Sequence, residues 1–234
     1  MLNQEEKERL DRAFERLMDG IPLPYITGVQ EFFGIDFFVS PSVLIPRPET
    51  EILVSTALEW LKRDKSEKIG ADVGAGSGCI ALSILLNHSY ISLFGLDISY
   101  HALKIAQENA AIHHLENRFV PVQTDLLSVF EGPLDCIFAN LPYIPTERLE
   151  NLNVSKFEPR QALDGGLDGL EYIHSLLKQA KGIINPEGLI LLEIDAFQSK
   201  AVHTLAETYF PQASIKIIDD LSGNPRIVQI LNKK

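Results

Sequence analysis

Two short stretches of this sequence carry the residue types that are best suited to binding and chemistry. The first is a glycine-rich loop, made of Asp72, Val73, Gly74, Ala75, Gly76, Ser77 and Gly78. The second is a tetrapeptide that follows an apolar run, made of Asn140, Leu141, Pro142 and Tyr143. The two stretches favour different ligands, and they are separated by a long segment of alternating apolar and polar composition.

The glycine-rich loop is typical of a site for a nucleotide-like cofactor. Glycines let the backbone turn tightly and approach a ligand without an intervening side chain. Asp97 ends the next predicted strand, 23 residues beyond Gly74, close to the interval at which an acidic residue binds a ribose hydroxyl. Asp125 ends the third predicted strand, where its carboxylate could accept a hydrogen bond from the exocyclic amine of an adenine.

The spacing of the glycines favours S-adenosylmethionine over the rival ligand NAD. The dinucleotide fingerprint requires a third glycine at the position where this chain has Cys79. The pattern Gly-x-Gly-x-Gly suits a mononucleoside better, so we expect S-adenosylmethionine as the cofactor. For the glycines taken alone, a turn with a purely structural role is the alternative.

The tetrapeptide is suited to holding a planar amide or amine. Asn140 offers one acceptor oxygen and two donor hydrogens, and Leu141 offers a backbone carbonyl, which Pro142 holds in an extended conformation. Two acceptors on one NH₂ group would orient its lone pair and stabilise the positive charge that grows on nitrogen. Tyr143 can stack on a planar group. Beside a cofactor loop, this predicts methyl transfer onto nitrogen, although a strand-to-loop turn would use similar residues.

The overall composition is that of an ordinary globular protein with an acidic balance. The chain has 234 residues and a formal net charge of −11, which argues against broad contact with nucleic-acid phosphates.

The two cysteines, Cys79 and Cys136, have neither a disulfide framework nor metal-ligand spacing, so we expect buried thiols and no metal. The charged N-terminus is unlike a secretory signal and no apolar run is long enough to span a bilayer, so we expect no membrane contact and a cytoplasmic protein.

The periodicity of apolar residues predicts an α/β fold. A helix over 3–19 and a hairpin over 31–39 come first, followed by a helix that begins at 48–51. The remaining predicted strands cover 68–73, 91–96, 118–123, 134–139, 187–194, 213–219 and 225–231. The predicted helices between them cover 78–87, 99–112, 168–184 and 198–209. Such alternation predicts a parallel sheet with helices on both faces, with the last two strands antiparallel because their connection is short.

Four stretches together resemble the HemK/PrmC protein-(glutamine-N5) methyltransferases, which modify the Gly-Gly-Gln glutamine of peptide-chain release factors. The resemblance extends from about residue 20 to the C-terminus. Two of the stretches are the glycine-rich loop and the tetrapeptide, and the other two cover 43–51 and 158–170. The resemblance implies a class I S-adenosylmethionine-dependent methyltransferase (Rossmann-like) fold. We therefore expect a mostly parallel seven-stranded sheet with an antiparallel C-terminal strand, preceded by a short helix and a β-hairpin.

The resemblance also implies roles for individual residues. Those expected to contact S-adenosylmethionine are Asp72, Gly74, Ala75, Gly76, Ser77, Gly78, Asp97, Asp125, Leu126 and Asn140. Those expected to hold the substrate glutamine are Asn140, Leu141, Pro142 and Tyr143, with Arg47 and Glu49 from the 43–51 stretch. For Glu49, compensation of the helix dipole is an equally good explanation.

The chain departs from the family pattern in two places. The family usually has proline where this chain has Leu141, and Leu126 stands where tryptophan is common. Family members also usually carry several helices before the catalytic domain, where this chain has one helix and a turn. We expect a short N-terminal helical segment over 1–28 and a methyltransferase domain with its hairpin over 29–234.

Three functions remain in competition at this stage. The first is methylation of the release-factor glutamine, or of a glutamine in another translation protein. The second is N6-methylation of adenine in nucleic acid, because those enzymes share the Asn-x-Pro-Tyr motif, although the acidic composition speaks against it. The third is a binding protein that keeps the cofactor fold with little catalysis. The 158–170 stretch is also explained by turn formation before a helix capped by Asp168.

Overall fold

Helices and strands alternate over the residues that the computed structural model describes, 3–233. The helices are α1 (Gln4–Met18), α2 (Leu23–Thr27), α3 (Glu51–Leu61), α4 (Cys79–Asn87), α5 (Tyr100–Ile112), α6 (Thr146–Leu149), α7 (Glu171–Ala180) and α8 (Ser199–Tyr209). The strands are β1 (Val29–Phe32), β2 (Ile35–Phe38), β3 (Lys68–Val73), β4 (Ile91–Asp97), β5 (Phe119–Gln123), β6 (Leu134–Ala139), β7 (Ile184–Glu193), β8 (Ser214–Asp219) and β9 (Pro225–Leu231). Short 3₁₀ helices cover Pro48–Thr50, Asn153–Lys156, Arg160–Ala162 and Ala196–Gln198.

The central sheet has seven strands in the order β5-β4-β3-β6-β7-β9-β8. β3, β4, β5, β6 and β7 are parallel to one another, and β9 runs antiparallel to both β7 and β8. The chain enters the sheet at β3, moves outward to β5, and then crosses to β6 on the other side of β3. A crevice forms where the strand order reverses in this way, beyond the carboxyl ends of the strands, and this is where the glycine-rich loop and the tetrapeptide lie.

Two apolar layers cover the sheet. Buried residues of α3, α4 and α5 pack on one face, and buried residues of α7 and α8 pack on the other. Two glycines allow neighbouring strands to carry large side chains. A Cβ on Gly95 would lie 2.3 Å from the ring of Phe119, and one on Gly70 would lie 2.4 Å from the Cys136 sulfur. Burial raises the pKa of both cysteine thiols, which confirms that they behave as small buried hydrophobes.

The N-terminal elements differ in how they pack. α1 has a capping box, in which Asn3 Oδ1 accepts from the Glu6 N–H at 2.9 Å, but none of its residues is buried. α2, by contrast, buries Tyr25, whose hydroxyl donates to the Val43 carbonyl at 2.6 Å. The β1–β2 hairpin is antiparallel and is fixed by Asn109 of α5, whose Oδ1 accepts from the Phe38 N–H at 2.7 Å.

Most predicted elements are confirmed to within a few residues, including the hairpin and the antiparallel pair β8–β9. The predicted helix 168–184 was too long, because Gly169 has a φ of 76° and α7 starts only at Glu171. Asp168 does not cap it; its Oδ1 accepts from the Leu170 N–H at 3.0 Å in a turn. β7 begins at Ile184, earlier than predicted, and accommodates a register shift. The predicted long loop after β6 contains α6 and two 3₁₀ turns.

Candidate active site

A cavity of about 270 Å³ lies at the carboxyl edge of β3, β4 and β6. It brings together most of the predicted site residues, which are Arg47, Gly74, Ala75, Gly76, Ser77, Asp97, Asp125, Leu126, Asn140, Leu141 and Pro142. The predicted residues outside its wall are Glu49, Asp72, Gly78 and Tyr143. The glycine-rich loop and the tetrapeptide therefore face one common space, as their positions after neighbouring parallel strands require.

The glycine-rich loop is held against the ends of β3 and β4. The N–H groups of Gly74 and Ala75 both donate to the Leu96 carbonyl, at 2.8 and 2.9 Å. Gly74 and Gly76 have φ values of 76° and 56°, in the left-handed region that glycine adopts without steric cost. A Cβ on Gly74 would lie 3.2 Å from Leu141 Cδ2 and 3.4 Å from the Asn140 carbonyl oxygen. The loop thus depends on glycine both for its turn and for its close approach to the tetrapeptide.

Asp97 lies at the end of β4 and lines the cavity. Its Oδ2 accepts from the Gly76 N–H at 3.0 Å and its Oδ1 from the Ser99 N–H at 2.8 Å. Burial raises the pKa of this carboxyl, and the two backbone hydrogen bonds oppose that effect. A carboxylate held in this way keeps free lone pairs for the hydroxyl groups of a ribose.

Asp72 supports the loop from beneath. Its side chain is fully buried, and its Oδ2 accepts from the Ala81 N–H in the first turn of α4 at 3.1 Å. Burial raises the pKa of Asp72 to about 7, and the charge of Asp97 adds to the increase. Gly78 has a similar supporting place, because a Cβ there would lie 3.2 Å from Ala106 Cβ. Both residues therefore shape the loop from outside the cavity.

The amide of Asn140 has a defined orientation. Its Nδ2 donates to the Thr50 hydroxyl at 3.2 Å, which leaves Oδ1 available as an acceptor. Thr50 is buried and follows Glu49 in the 43–51 stretch. Leu141 is also buried, at 4% exposure, and it packs in the apolar layer that contains Val73 and Ala139.

Tyr143 lies behind the cavity. Burial raises the pKa of its phenol, and the nearby charge of Glu193 raises it further. The backbone carbonyl of Tyr143 accepts from Gln198 Nε2 at 2.9 Å. A different aromatic residue, Tyr172 of α7, lines the cavity. Tyr172 was not among the predicted site residues, and the stacking role expected of Tyr143 stays a prediction.

The stretch 158–170 packs around the tetrapeptide and the residues that follow it. The Gly165 N–H donates to the Ile144 carbonyl at 2.8 Å, and the Ile144 N–H donates to the Leu163 carbonyl at 3.1 Å. A Cβ on Gly165 would lie 2.7 Å from the Pro142 carbonyl oxygen, and one on Gly169 would lie 2.2 Å from that of Tyr143. The glycines of this stretch allow it to pack directly on the backbone that follows Asn140.

An ion pair connects the same stretch to the 43–51 segment. Arg47 pairs with the buried carboxylate of Glu158. The other carboxylate oxygen of Glu158 accepts from the Ile45 N–H at 3.1 Å. This places Pro46 and Arg47 in the wall of the cavity, so one stretch that precedes the glycine-rich loop and one that follows the tetrapeptide complete the surroundings of the loop.

Several residues of the cavity wall were not among the predicted site residues. They are Ser42, Val43, Leu44, Pro46, Thr50, Ile98, Ser99, His101, Thr124, Pro159, Gln161, Ala162 and Tyr172, together with apolar neighbours of the loop. Thr50 belongs to a stretch that the resemblance had already marked. Tyr172 and His101 follow no local pattern, so no signal in the sequence would have found them.

The parallel sheet, the glycine-rich loop after its first strand and the acidic residue after its second define a class I S-adenosylmethionine-dependent methyltransferase. Residues 49–157 match the methyltransferase small domain family. The chain is also similar in fold to a 16S rRNA N2 G1207 methyltransferase of Thermus thermophilus, solved in complex with AdoMet and guanosine. That structure has a TM-score of 0.65 at 15% identity, covering 88% of this chain and 50% of the other.

Two comparisons define the family more narrowly. A release factor glutamine methyltransferase from Moorella thermoacetica is 43% identical over 220 residues, covering 93% of this chain and 77% of the relative. The solved release-factor-specific protein-(glutamine-N5) methyltransferase of Alicyclobacillus acidocaldarius is 27% identical with a TM-score of 0.53, covering 85% of this chain and 100% of that one. This chain belongs to the release factor glutamine methyltransferase family, which confirms the resemblance and the predicted cofactor.

Two further observations concern the described residues. Within residues 3–233, no group of three or more His, Cys, Asp or Glu side chains is placed to hold a metal ion. None of the helices described for this chain is long and apolar enough to cross a membrane.

Proposed function

We propose that this enzyme methylates the side-chain amide nitrogen (N5) of the glutamine in the Gly-Gly-Gln motif of peptide-chain release factors. The observation that carries the proposal is the orientation of Asn140 in the cavity wall. Its NH₂ group is engaged by Thr50, so its carbonyl oxygen is the group left to accept a hydrogen bond from a substrate NH₂. The membership of the chain in its family supports a glutamine as the source of that group.

The cavity wall fits the cofactor. Asp97 would accept from the ribose hydroxyls, the backbone of Gly74 and Gly76 would approach the ligand closely, and Asp125 and Leu126 would meet the adenine. When bound, S-adenosylmethionine supplies a methyl group activated by an adjacent sulfonium.

The tetrapeptide supplies orientation and charge stabilisation. Asn140 Oδ1 and the Leu141 carbonyl would accept from the glutamine NH₂ and direct its lone pair toward the methyl donor. During transfer of the methyl group from sulfur to nitrogen, both acceptors would stabilise the positive charge on nitrogen. The nitrogen would lose one proton to water, which gives the N5-methyl amide and leaves the cofactor as a neutral thioether. Positioning supplies the rest of the acceleration, and no side-chain base is required in contact with the nitrogen.

The decisive experiment measures transfer of labelled methyl groups to purified substrates. The substrates are a release factor, the same factor with alanine in place of the Gly-Gly-Gln glutamine, and duplex DNA that contains adenine. We expect label only in the unaltered release factor. Label in DNA, or in the alanine variant, would overturn the proposal in favour of an adenine substrate or another glutamine. Absence of transfer with intact cofactor binding would favour a binding protein.

The proposal extends to the partner, the compartment and the organisation of the chain. The net charge of −11 opposes binding to a polyanion, so we propose a protein partner and no nucleic acid.

Because the proposed substrate acts in translation, we propose that the enzyme works in the cytoplasm. We also propose that 1–28 is a short N-terminal helical segment and that 29–234 is the methyltransferase domain with its hairpin. The absence of buried residues in α1 supports this division.

A further inference from the structure

Behind Asn140 lie two buried polar residues, Thr50 and Glu193. Neither was among the predicted site residues. Asn140 Nδ2 donates to the Thr50 hydroxyl at 3.2 Å. Glu193 ends β7 beside Asn140, because Ala139 and Leu192 are paired between β6 and β7, and the Thr50 hydroxyl lowers the pKa of its carboxyl. Thr50 and Glu193 are each 2% exposed, so water does not compete for these contacts. Thr50 lies in the cavity wall and Glu193 lies outside it.

The direction of the hydrogen bonds between these side chains depends on the charge of Glu193. An ionised carboxylate only accepts hydrogen bonds, so the hydroxyl hydrogen of Thr50 must point toward it. The oxygen of Thr50 is then free only to accept, and the partner it meets on Asn140 must be the NH₂ group. A protonated Glu193 can donate to Thr50 instead, which releases the hydroxyl hydrogen to point toward Asn140. Only the ionised form therefore specifies which end of the Asn140 amide faces the cavity.

The groups around Glu193 come from three other parts of the fold. Burial raises the pKa of Glu193 to about 7, and the charge of Glu49 adds to the increase. The hydroxyls of Thr50 and Tyr143 and the guanidinium of Arg226 oppose it. Among the described residues, one carboxylate oxygen of Glu193, Oε2, and the Nε of Arg226 are buried without a hydrogen-bond partner. The guanidinium of Arg226 pairs with Asp220 instead, so no bidentate pair holds Glu193 in its ionised form.

We propose that Thr50 and Glu193 are positioning residues for methyl transfer, which fix the Asn140 amide with its oxygen toward the substrate nitrogen. This inference rests on the proposed function, because it assumes that Asn140 accepts from the substrate NH₂. Neither residue contacts the reacting atoms. In the opposite orientation, the Asn140 amide would present its NH₂ group to the substrate. The substrate NH₂ also has hydrogens to donate, so it would lose its hydrogen-bond acceptor.

The first test compares Thr50→Val, Thr50→Ser and the matched control Thr56→Val in the release-factor assay. Thr56 lies six residues further along the chain, in α3, and its hydroxyl donates to the Ile52 carbonyl at 2.8 Å, away from the cavity. We expect Thr50→Val to lower kcat by about 10²-fold, the scale of a misplaced reacting group, with little change in the cofactor Kd. Thr50→Ser should restore most of kcat, and Thr56→Val should leave it unchanged.

The second test uses the pH profile of kcat at saturating cofactor, so that titration of Asp72 and Asp97 beside the cofactor is not rate-determining. Wild-type kcat should rise with pH through the pKa of Glu193, near 7, because the ionised form is the orienting one. Glu193→Gln should lower kcat by about 10-fold and remove that rise, since a neutral amide can donate as well as accept. The control Glu187→Gln, at the exposed start of the same strand, should keep the wild-type profile.

The outcomes distinguish a failure of the proposed function from a failure of the positioning inference. If wild-type enzyme does not methylate the release factor, the proposed function is wrong, and the positioning inference falls with it. If wild type is active and folded Thr50→Val keeps its kcat, or Glu193→Gln keeps the rise with pH, only the positioning inference is overturned. Should Thr50→Val fail to fold, as judged by thermal unfolding and cofactor binding, the comparison of Glu193→Gln with Glu187→Gln decides the matter.

Discussion

At the scale of single residues, the site depends on polar groups that are held by the backbone and still offer atoms to a ligand. Asp97 accepts from two backbone N–H groups and faces the cavity. Asn140 is held by one end of its amide and offers the other. Preorganised groups of this kind need little rearrangement when a ligand binds, so their removal should affect binding or rate more than folding.

We expect Asp97→Ala to weaken S-adenosylmethionine binding by about 1–3 kcal/mol, the cost of losing hydrogen bonds to a charged partner. Isothermal calorimetry measures this directly. Asp219→Ala, which removes the same charge at the end of β8, is the matched control and should bind the cofactor as wild type does. Equal affinities for the two variants would contradict the assignment of the ribose to Asp97.

Asn140→Ala should fold and bind cofactor but lose methyl transfer by about 10²–10³-fold, the typical loss for one charge-stabilising group. Initial rates on the release factor give the effect, and the thermal unfolding temperature checks the fold. Because the substrate acceptor is Oδ1, Asn140→Asp should retain more activity than the alanine variant. A folded Asn140→Ala enzyme with wild-type turnover would disprove the role given to the tetrapeptide.

Leu141→Pro separates the backbone of the tetrapeptide from its side chain. Within the described residues, the Leu141 N–H donates no hydrogen bond to the backbone outside the strands, so proline removes no such contact and keeps the carbonyl. We expect methyl transfer to be retained or slightly faster. The unfolding free energy should fall by about 1 kcal/mol, because Leu141 is buried and proline covers less apolar surface. Loss of activity in a folded variant would mean that the leucine side chain acts in catalysis.

At the scale of elements, the site is the meeting of two connections that follow β3 and β6. These strands are direct neighbours with Val73 opposite Ala139, so the glycine-rich loop and the tetrapeptide leave the sheet side by side. The 158–170 stretch then packs on the tetrapeptide through Gly165 and Gly169. The position of the glycine-rich loop relative to the tetrapeptide is therefore set by strand register.

Gly74→Ala tests this coupling between the two connections. A Cβ at Gly74 carries the penalty of a φ of 76° and also meets Leu141 at 3.2 Å. Gly223 is a matched control, with a φ of 80° and no atom within 4 Å of the position that a Cβ would take. Both alanine variants should lose about 1–2 kcal/mol of stability from the left-handed backbone, measured by denaturant unfolding. Only Gly74→Ala should also lose cofactor affinity and methyl transfer, and equal activity of the two would contradict the coupling.

At the scale of the whole molecule, two fully buried carboxyls link stability to pH. Burial raises the pKa of Asp72 and of Glu193 to about 7, above the ordinary values of about 3.9 and 4.3 in an unfolded chain. The folded state therefore binds more protons than the unfolded state between these values. Their contribution to stability is fully present below the unfolded pKa values and is lost as the pH rises through about 7.

We expect the unfolding free energy of Asp72→Asn to exceed that of wild type at pH 8 and to match it more closely at pH 5. An isosteric amide can still accept from the Ala81 N–H but has no charge to desolvate. The difference should be on the order of 2 kcal/mol, and each unit of pKa shift corresponds to about 1.4 kcal/mol. Urea unfolding at both pH values measures it. A wild-type advantage that grows with pH would show that Asp72 is stabilised as a carboxylate.

The sequence by itself determined the elements, the cofactor loop and the residue that ends each strand. Those features are local, because glycine permissiveness, apolar periodicity and the place of Asp97 and Asn140 at strand ends depend on neighbours within a few residues. The alternation of strands and helices also determined that these ends share one edge of the sheet. The predicted bounds of 68–73 and 134–139 agree with the structure for this reason.

Only the tertiary structure decided which side chains face the cavity. Thr50 meets Asn140 across 90 positions of sequence, Tyr172 rather than Tyr143 lines the cavity, and the charge of Glu193 is set by groups from separate elements. Such contacts arise from the packing of elements against one another, and no local propensity or spacing encodes them. The sequence therefore specifies the atoms available for chemistry, while long-range packing specifies the direction in which each of them points.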